Sequence, residues 1–300
     1  MDINKIKPRD LELIVKQLSE RNPNTNRPSS KRLLKAIVNV SNQIFEYAVE
    51  NEYALRNPAS KLSKKIPRNA PTKEVTAISD NQKALIMEFD HKTKIAAVIM
   101  MFMGLRRGEL LSLEWKDFDF ENNILSVNKS CKLIENNRFV VKPGTKNGKT
   151  RQVPIPSTIA PWLENQKMMA DSLLVVPNKN GELLTPTQWR GKWRTYQNDL
   201  NYFVYVRRCN ELNITPKNKY SPTGVPDMNM RFNVHQLRHA YATMLYLSGV
   251  DILTAKELLG HSDVKITLNI YTHLEQNCKK LNIIKFDQYI QSELLSAASL

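Results

Sequence analysis

The sequence is poor in sulfur chemistry: Cys131, Cys209 and Cys278 are its three cysteines, and each stands alone. The close pairs of a zinc site and the even count of a disulfide framework are both missing, so a reducing compartment is expected. The longest apolar run, Ile95 to Met103, is too short to cross a bilayer and is followed by arginines. No apolar stretch near the N-terminus resembles a signal peptide. No Asp/Glu cluster suited to magnesium stands out, and a metal site is not expected.

Acidic residues are the minority charge. The formal net charge is +15, which favours a polyanionic partner. Through Thr72 there are 14 Lys and Arg against 7 Asp and Glu, giving +7 and leaving +8 for a remainder three times longer. The N-terminal segment is therefore the more concentrated electrostatic footprint.

Three hundred residues allow two domains, each with its own core. Pro8 and Asp10 open a short amphipathic helix carrying Leu11, Ile14 and Leu18, and an Asn- and Pro-rich loop from Asn22 to Ser30 ends it. The next helix has an expected apolar stripe of Leu33, Ile37, Ile44 and Ala48, with Lys31, Arg32 and Lys35 at its beginning. Cations there oppose the helix macrodipole at about 0.3–1 kcal/mol each. A phosphate backbone nearby would offset that cost, and a solvated helix end is the plain alternative. Prolines on both sides make Ile66 to Lys73 a linker. The expected division is a helical domain over 1–66, a linker over 67–73 and a second domain over 74–300.

Ser79-Asp-Asn-Gln82 is a capping box that opens the second domain, and Ile95 to Met103, apolar on every side, predicts a buried helix. The period then changes. Ile124–Val127, Arg138–Val141 and Arg151–Ile155 read as strands, and Asn147-Gly148 is a hairpin-turn signal, so a small antiparallel sheet is expected with Lys146 at a tip. Trp189, Trp193 and Tyr196 form an aromatic stripe suited to core packing. Arg190 and Arg194, four apart on the adjacent face, are candidates for contact with a phosphate backbone. The fold class is mainly α with a small antiparallel β-sheet.

The last quarter holds the densest chemistry. His235 and Arg238 lie three apart on a helix, so both can reach one anionic group. Gly249 should end that helix, Asp251 should cap the next, and Gly260 should close it, leaving His261 in the turn before a helix that carries Tyr271. Two helix breaks in so short a span let separated side chains converge. Two histidines so spaced also suggest a zinc peptidase helix, but the glutamate that chemistry needs beside the first histidine is missing.

In order, Gly104-Leu-Arg106-Arg107-Gly-Glu109, the turn lysine, His235-Gln-Leu-Arg238-His239, Leu258-Leu-Gly-His261-Ser-Asp and Tyr271-Thr-His resemble the tyrosine recombinases, the phage-integrase superfamily. The resemblance implies a helical core-binding domain followed by a catalytic domain. Too few residues precede Asn57 for the usual helices of the first, so that domain is expected either to lack its front and be incomplete at its N-terminus or to be reduced, and no arm-binding domain is recognised.

The resemblance also implies roles. Arg106 and Arg238 would hold the scissile phosphate and His261 would donate to it. Tyr271 would attack, His235 would take its proton, and Lys146 would be the general acid, with Lys149 as competitor. Glu109 would orient a catalytic histidine, unless it forms a local ion pair with Arg106; His239 would support the site. The product would be a 3′-phosphotyrosine, formed without cofactor, metal or ATP.

The implied partners are double-stranded DNA at attachment or transposon-end sites and three further copies, a homo-tetramer on two duplexes; an apolar helix expected over 281–294 either docks on the neighbouring copy, as in related recombinases, or packs on its own domain. No membrane is implied, and the setting is the prokaryotic cytoplasm and nucleoid. A basic insertion, about 199–232, exceeds the family pattern. The competing readings are a type IB topoisomerase, with the same chemistry in a monomer, and a non-catalytic helix-turn-helix regulator built on the helices around Gly249.

Overall fold

The computed structural model describes residues 3–72, 77–144, 148, 150–217 and 231–272, and the chain divides into two compact units, 1–75 and 76–300. Lys146, Lys149, much of the basic insertion and the expected C-terminal helix lie outside the described residues.

The smaller unit is built on α1 (Pro8–Glu20) and α2 (Lys31–Glu50), whose core is Val15, Val38, Phe45, Ala59 and Leu62. The apolar stripe of α2 keeps the expected Ala48 but otherwise runs one residue over from the expected one. Leu34, Val38, Phe45 and Ala48 are buried, while Leu33 and Ile44, like Ile14 of α1, face outward. Leu33-Leu34, Ile37-Val38 and Ile44-Phe45 are adjacent apolar pairs, so the sequence fits two stripes one residue apart. Packing chooses between them. Residues of the expected linker are tied to the start of α2: the Lys31 amide donates to Pro71 O (2.8 Å) and its Nζ to Arg68 O (3.1 Å). Arg32 and Lys35 point outward.

The larger unit begins with α3 (Asp80–Glu88), closed by the expected capping box at Ser79 and Gln82. Helix α4 (Lys94–Phe102) is buried along nearly all its length and packs against α8 (Val234–Leu247). The short α5 (Arg107–Leu111) follows α4. Five strands come next: β1 (Phe118–Asp119), β2 (Ile124–Val127), β3 (Lys129–Ile134), β4 (Arg138–Pro143) and β5 (Arg151–Pro154).

Among the described residues all strand pairing is antiparallel, but in two sheets, β1-β2-β5 and β3-β4. The strands that flank Asn147-Gly148 in sequence, β4 and β5, are therefore not paired with each other. They lie in different sheets. A tight turn joins β3 to β4 at Asn136 and Asn137, with φ of 58° and 53°, a left-handed conformation that Asn tolerates because its side chain can bond locally. Strand β3, which the period of the sequence does not announce, is the partner of β4.

After α6 (Ala160–Met168), α7 (Pro186–Glu211) buries Trp189 and Tyr196, with Trp189 stacked on Trp193, as the aromatic stripe predicts. It continues through the first part of the expected insertion, where Arg207 pairs with Glu88 and Arg208 with Glu211. Helix α8 is capped by Asn233, and α9 (Ile252–Leu259) by Asp251. Residues 264–272 are again helical. Among the described residues no helix is long and apolar enough to cross a membrane.

Candidate active site

The turns after α4 and α9 carry the geometry. Gly260 ends α9 with φ +64°, and a Cβ there would stand 2.8 Å from Arg151 Nη1 and 3.3 Å from Arg106 Nη1. Glycine is needed twice over, for the left-handed cap and for the close approach of two guanidinium groups. Gly104 is equally constrained, since a Cβ would meet the Tyr241 ring at 2.2 Å.

Arg106 caps α5. Its amide and Nη1 donate to Glu109 Oε2 and Oε1 (both 2.8 Å), and its Nη2 donates to Gly260 O (2.5 Å). Arg238 is buried on α8, where Nη1 donates to Gly104 O (2.5 Å) and Nη2 to Leu259 O. Each arginine thus ties one glycine turn to another part of the site. Burial, then the nearby charge of Arg106, brings the Arg238 pKa down to about 9. That is the signature of a cation held without enough counter-charge.

A cleft of about 280 Å³ lies here, lined by Arg106, His235, Arg238, His239 and His261 together with Ile266 and Ile270. His261 Nδ1 is 2.8 Å from Thr267 Oγ1. Burial, followed by the charges of Arg238 and Arg106, pushes the His261 pKa down to about 3, so the ring is neutral. His239 is lowered too, by burial and by His235. The five expected cationic or imidazole groups on described residues are therefore brought together.

Two expectations fare differently. Glu109 does not reach a histidine: its carboxylate is shared between Arg106 and Arg151, so the local ion pair is the correct reading, extended to a second arginine. Arg151, which sequence reasoning passed over, also donates from Nε to Leu258 O (2.8 Å). Its signal was its register, since Arg151 and Val153 share the inward face of β5 and a charge on that face needs a buried partner.

Tyr271 is buried, but not in the cleft. Its hydroxyl donates to Val250 O (3.3 Å), and its ring meets Tyr246 edge-on at 4.9 Å. Burial and the charge of Asp251 raise its pKa to about 12. The outward-facing Arg190 and Arg194 lie on α7, away from this cleft's lining.

Residues 70–277 match the model of the phage integrase family. The chain belongs to the phage integrase family. Within it, a tyrosine recombinase XerC-like protein of Caldanaerobacter subterraneus subsp. tengcongensis is 32% identical over 266 residues, 82% of this chain and 63% of that protein. The chain thus spans less than two thirds of that relative's length. The ICEBs1 integrase of Bacillus subtilis is 26% identical over 96% of this chain and 73% of its own. The family fold is also that of the Tn1549 transposon integrase solved in complex with transposon right end DNA, at a TM-score of 0.66 and 19% identity, covering 96% of this chain and 87% of that one.

Proposed function

We propose that this family member is a site-specific recombinase of a phage or other mobile element, which cuts and rejoins DNA through a 3′-phosphotyrosine on Tyr271. The supporting observation is the convergence of Arg106 and Arg238 on one cleft with a neutral His261. Phosphoryl transfer builds charge on non-bridging oxygens, and guanidinium groups meet such oxygens bidentately. Both arginines are already fixed by carbonyl bonds, so little reorganisation is needed when charge develops. His261 Nδ1 shares a hydrogen bond with Thr267 Oγ1; in the tautomer that accepts from the hydroxyl, the ring proton sits on Nε2 and serves as a further donor.

Tyr271 Oη attacks phosphorus and loses its proton to His235. The bond from phosphorus to O5′ breaks, and Lys146 supplies the proton that O5′ needs. Attack requires Tyr271 to leave Val250 and Tyr246. The hydroxyl bond contributes about 0.5–1.5 kcal/mol and the ring pair a similar amount, so the docked tyrosine is held reversibly. The partner is double-stranded DNA in the prokaryotic cytoplasm, and the working assembly is a homo-tetramer on two duplexes, joined through the C-terminal segment.

The test is a nicked duplex carrying the element's end, resolved on a denaturing gel. A covalent adduct is expected from the wild-type chain and none from Tyr271→Phe. Adduct persisting in Tyr271→Phe would overturn the assignment, and supercoil relaxation by a monomer would favour the topoisomerase reading. Lys146→Ala should recover cleavage on a substrate with a 5′-thiol leaving group.

A further inference from the structure

A second cleft, of about 540 Å³, opens elsewhere in the larger unit, between the turn joining α3 to α4 and the start of α7. His91, Lys92 and Thr93 line it from the turn, Lys179 and Leu184 from the loop before α7, and Lys192 from α7 itself. None of these residues belongs to the site described above. Among the described residues, no carboxylate forms an ion pair with Lys92, Lys179 or Lys192. The nearby acids are engaged otherwise: Asp199 faces His91 Nε2 at 3.5 Å, and Glu182 accepts from Asn178 Nδ2 at 3.2 Å. Lys192 is partly buried with Nζ on Pro177 O (2.8 Å), and burial together with the charge of Lys92 lowers its pKa. Two ammonium groups that feel each other without a counter-charge favour an anion.

Thr93 supplies an independent sign. It is the N-cap of the nine-residue α4 and is 1% exposed, yet its Oγ1 is buried without a hydrogen-bond partner. Ser30, Ser79, Thr185, Asn233 and Asp251, the caps of α2, α3, α7, α8 and α9, all accept from their own helix amides. Thr93 instead has helical φ and ψ, which withdraw its hydroxyl from that task. Its amide donates to His91 Nδ1 (3.0 Å), which leaves the His91 proton on Nε2, toward Asp199. The amides of Thr93 and Lys94 already donate to His91, so what the start of α4 offers an anion is its unspent hydroxyl and the positive end of the helix dipole, beside two lysines.

We propose that this cleft binds a phosphate-bearing ligand, with the phosphate held by Lys92, Lys192 and the Thr93 hydroxyl at the start of α4. Its volume is that of a small-molecule site and suits a compound of nucleotide size. Gln188, Lys192 and Thr195, at helical spacing, turn one face of α7 to the cleft, while Arg190 and Arg194 fall on the other side of the helix. A duplex along the arginine face would leave the cleft free.

The test is nuclear magnetic resonance of the full isotope-labelled chain, titrated with inorganic phosphate and with adenosine 5′-monophosphate at constant ionic strength in chloride. The amide signals of Thr93, Lys94 and Gln188 should move saturably. Thr93→Val, which removes an unpartnered hydroxyl and should fold normally, and the pair Lys92→Gln with Lys192→Gln should each weaken binding roughly tenfold, the scale of one hydrogen bond to a charged group. A short DNA duplex separates the sources. If it moves the same signals and competes with phosphate, the DNA backbone is the ligand; if it leaves them in place, a soluble phosphate compound is. Shifts that do not saturate, that chloride reproduces, or that both variants retain at full affinity would overturn the site.

Discussion

Glu109 and Arg151 meet fork to fork, with Nη1 3.0 Å from Oε1 and Nη2 2.8 Å from Oε2. The pair joins α5 to β5, and through Arg106 and Leu258 it fixes both ends of the candidate active site. Its chemistry leads to the first prediction.

Burial alone would raise the Glu109 pKa, but the bonds from Arg151 and Arg106 outweigh it and bring the group to about 2 from the ordinary 4.5. At about 1.4 kcal/mol per unit, ionised Glu109 contributes about 3 kcal/mol. The sign follows from the depressed value: the contribution is complete above pH 4.5 and is lost as pH falls toward 2. Denaturant unfolding of wild type and Glu109→Gln should show a stability gap that narrows through this window. A gap independent of pH would contradict the assignment.

His261 titrates near 3 when folded, against 6.5 ordinarily. Between those values the unfolded chain binds the proton first, so stability rises with pH across the window. The ring should therefore stay neutral through neutral pH, and its carbon resonances should show no inflection between about pH 5 and 8. Any fall in cleavage rate on that side belongs to another group. An inflection near 6.5 would show that the surrounding arginines do not act on it.

Gly260→Ala should damage the site more than the fold. A left-handed alanine costs about 1–2 kcal/mol. The added Cβ also crowds Arg151 and Arg106, whose positions the cleavage step needs. A melting temperature lower by roughly 2–8 °C is expected for a unit of this size. Cleavage measured well below that melting temperature should drop at least tenfold. Full activity would mean that the arginine positions are not critical.

Tyr246→Leu should free the nucleophile. The edge-on contact with Tyr271 contributes about 0.5–1.5 kcal/mol, so its loss raises the undocked population by roughly two- to twelvefold. Adduct formation on a nicked duplex should quicken by a similar factor. An unchanged rate would show that release from Val250 and Tyr246 does not limit attack.

Much of this was legible in the chain itself. Helix ends can be read locally, because Ser79, Asp251 and Gly260 act on amides and carbonyls a few residues away. The buried α4 and the aromatic stripe of α7 follow from composition and period. The residue types lining the active-site cleft were legible as well, since phosphate chemistry restricts them to a few side chains and their order in the chain matches the family's.

Tertiary packing decided the rest, because it depends on partners distant in sequence. It selected Leu34 over Leu33 on α2, where adjacent apolar pairs leave two faces equally good. It paired β5 with β2 and β4 with β3, and so placed a tight turn between paired strands at Asn136 and Asn137. It gave Glu109 to Arg151 across 42 positions of sequence, and docked the Tyr271 hydroxyl on Val250 across 21. The sequence determined which groups can handle a phosphate. Which of them already face one another, and which must first be released, was decided by long-range contacts that no local pattern encodes.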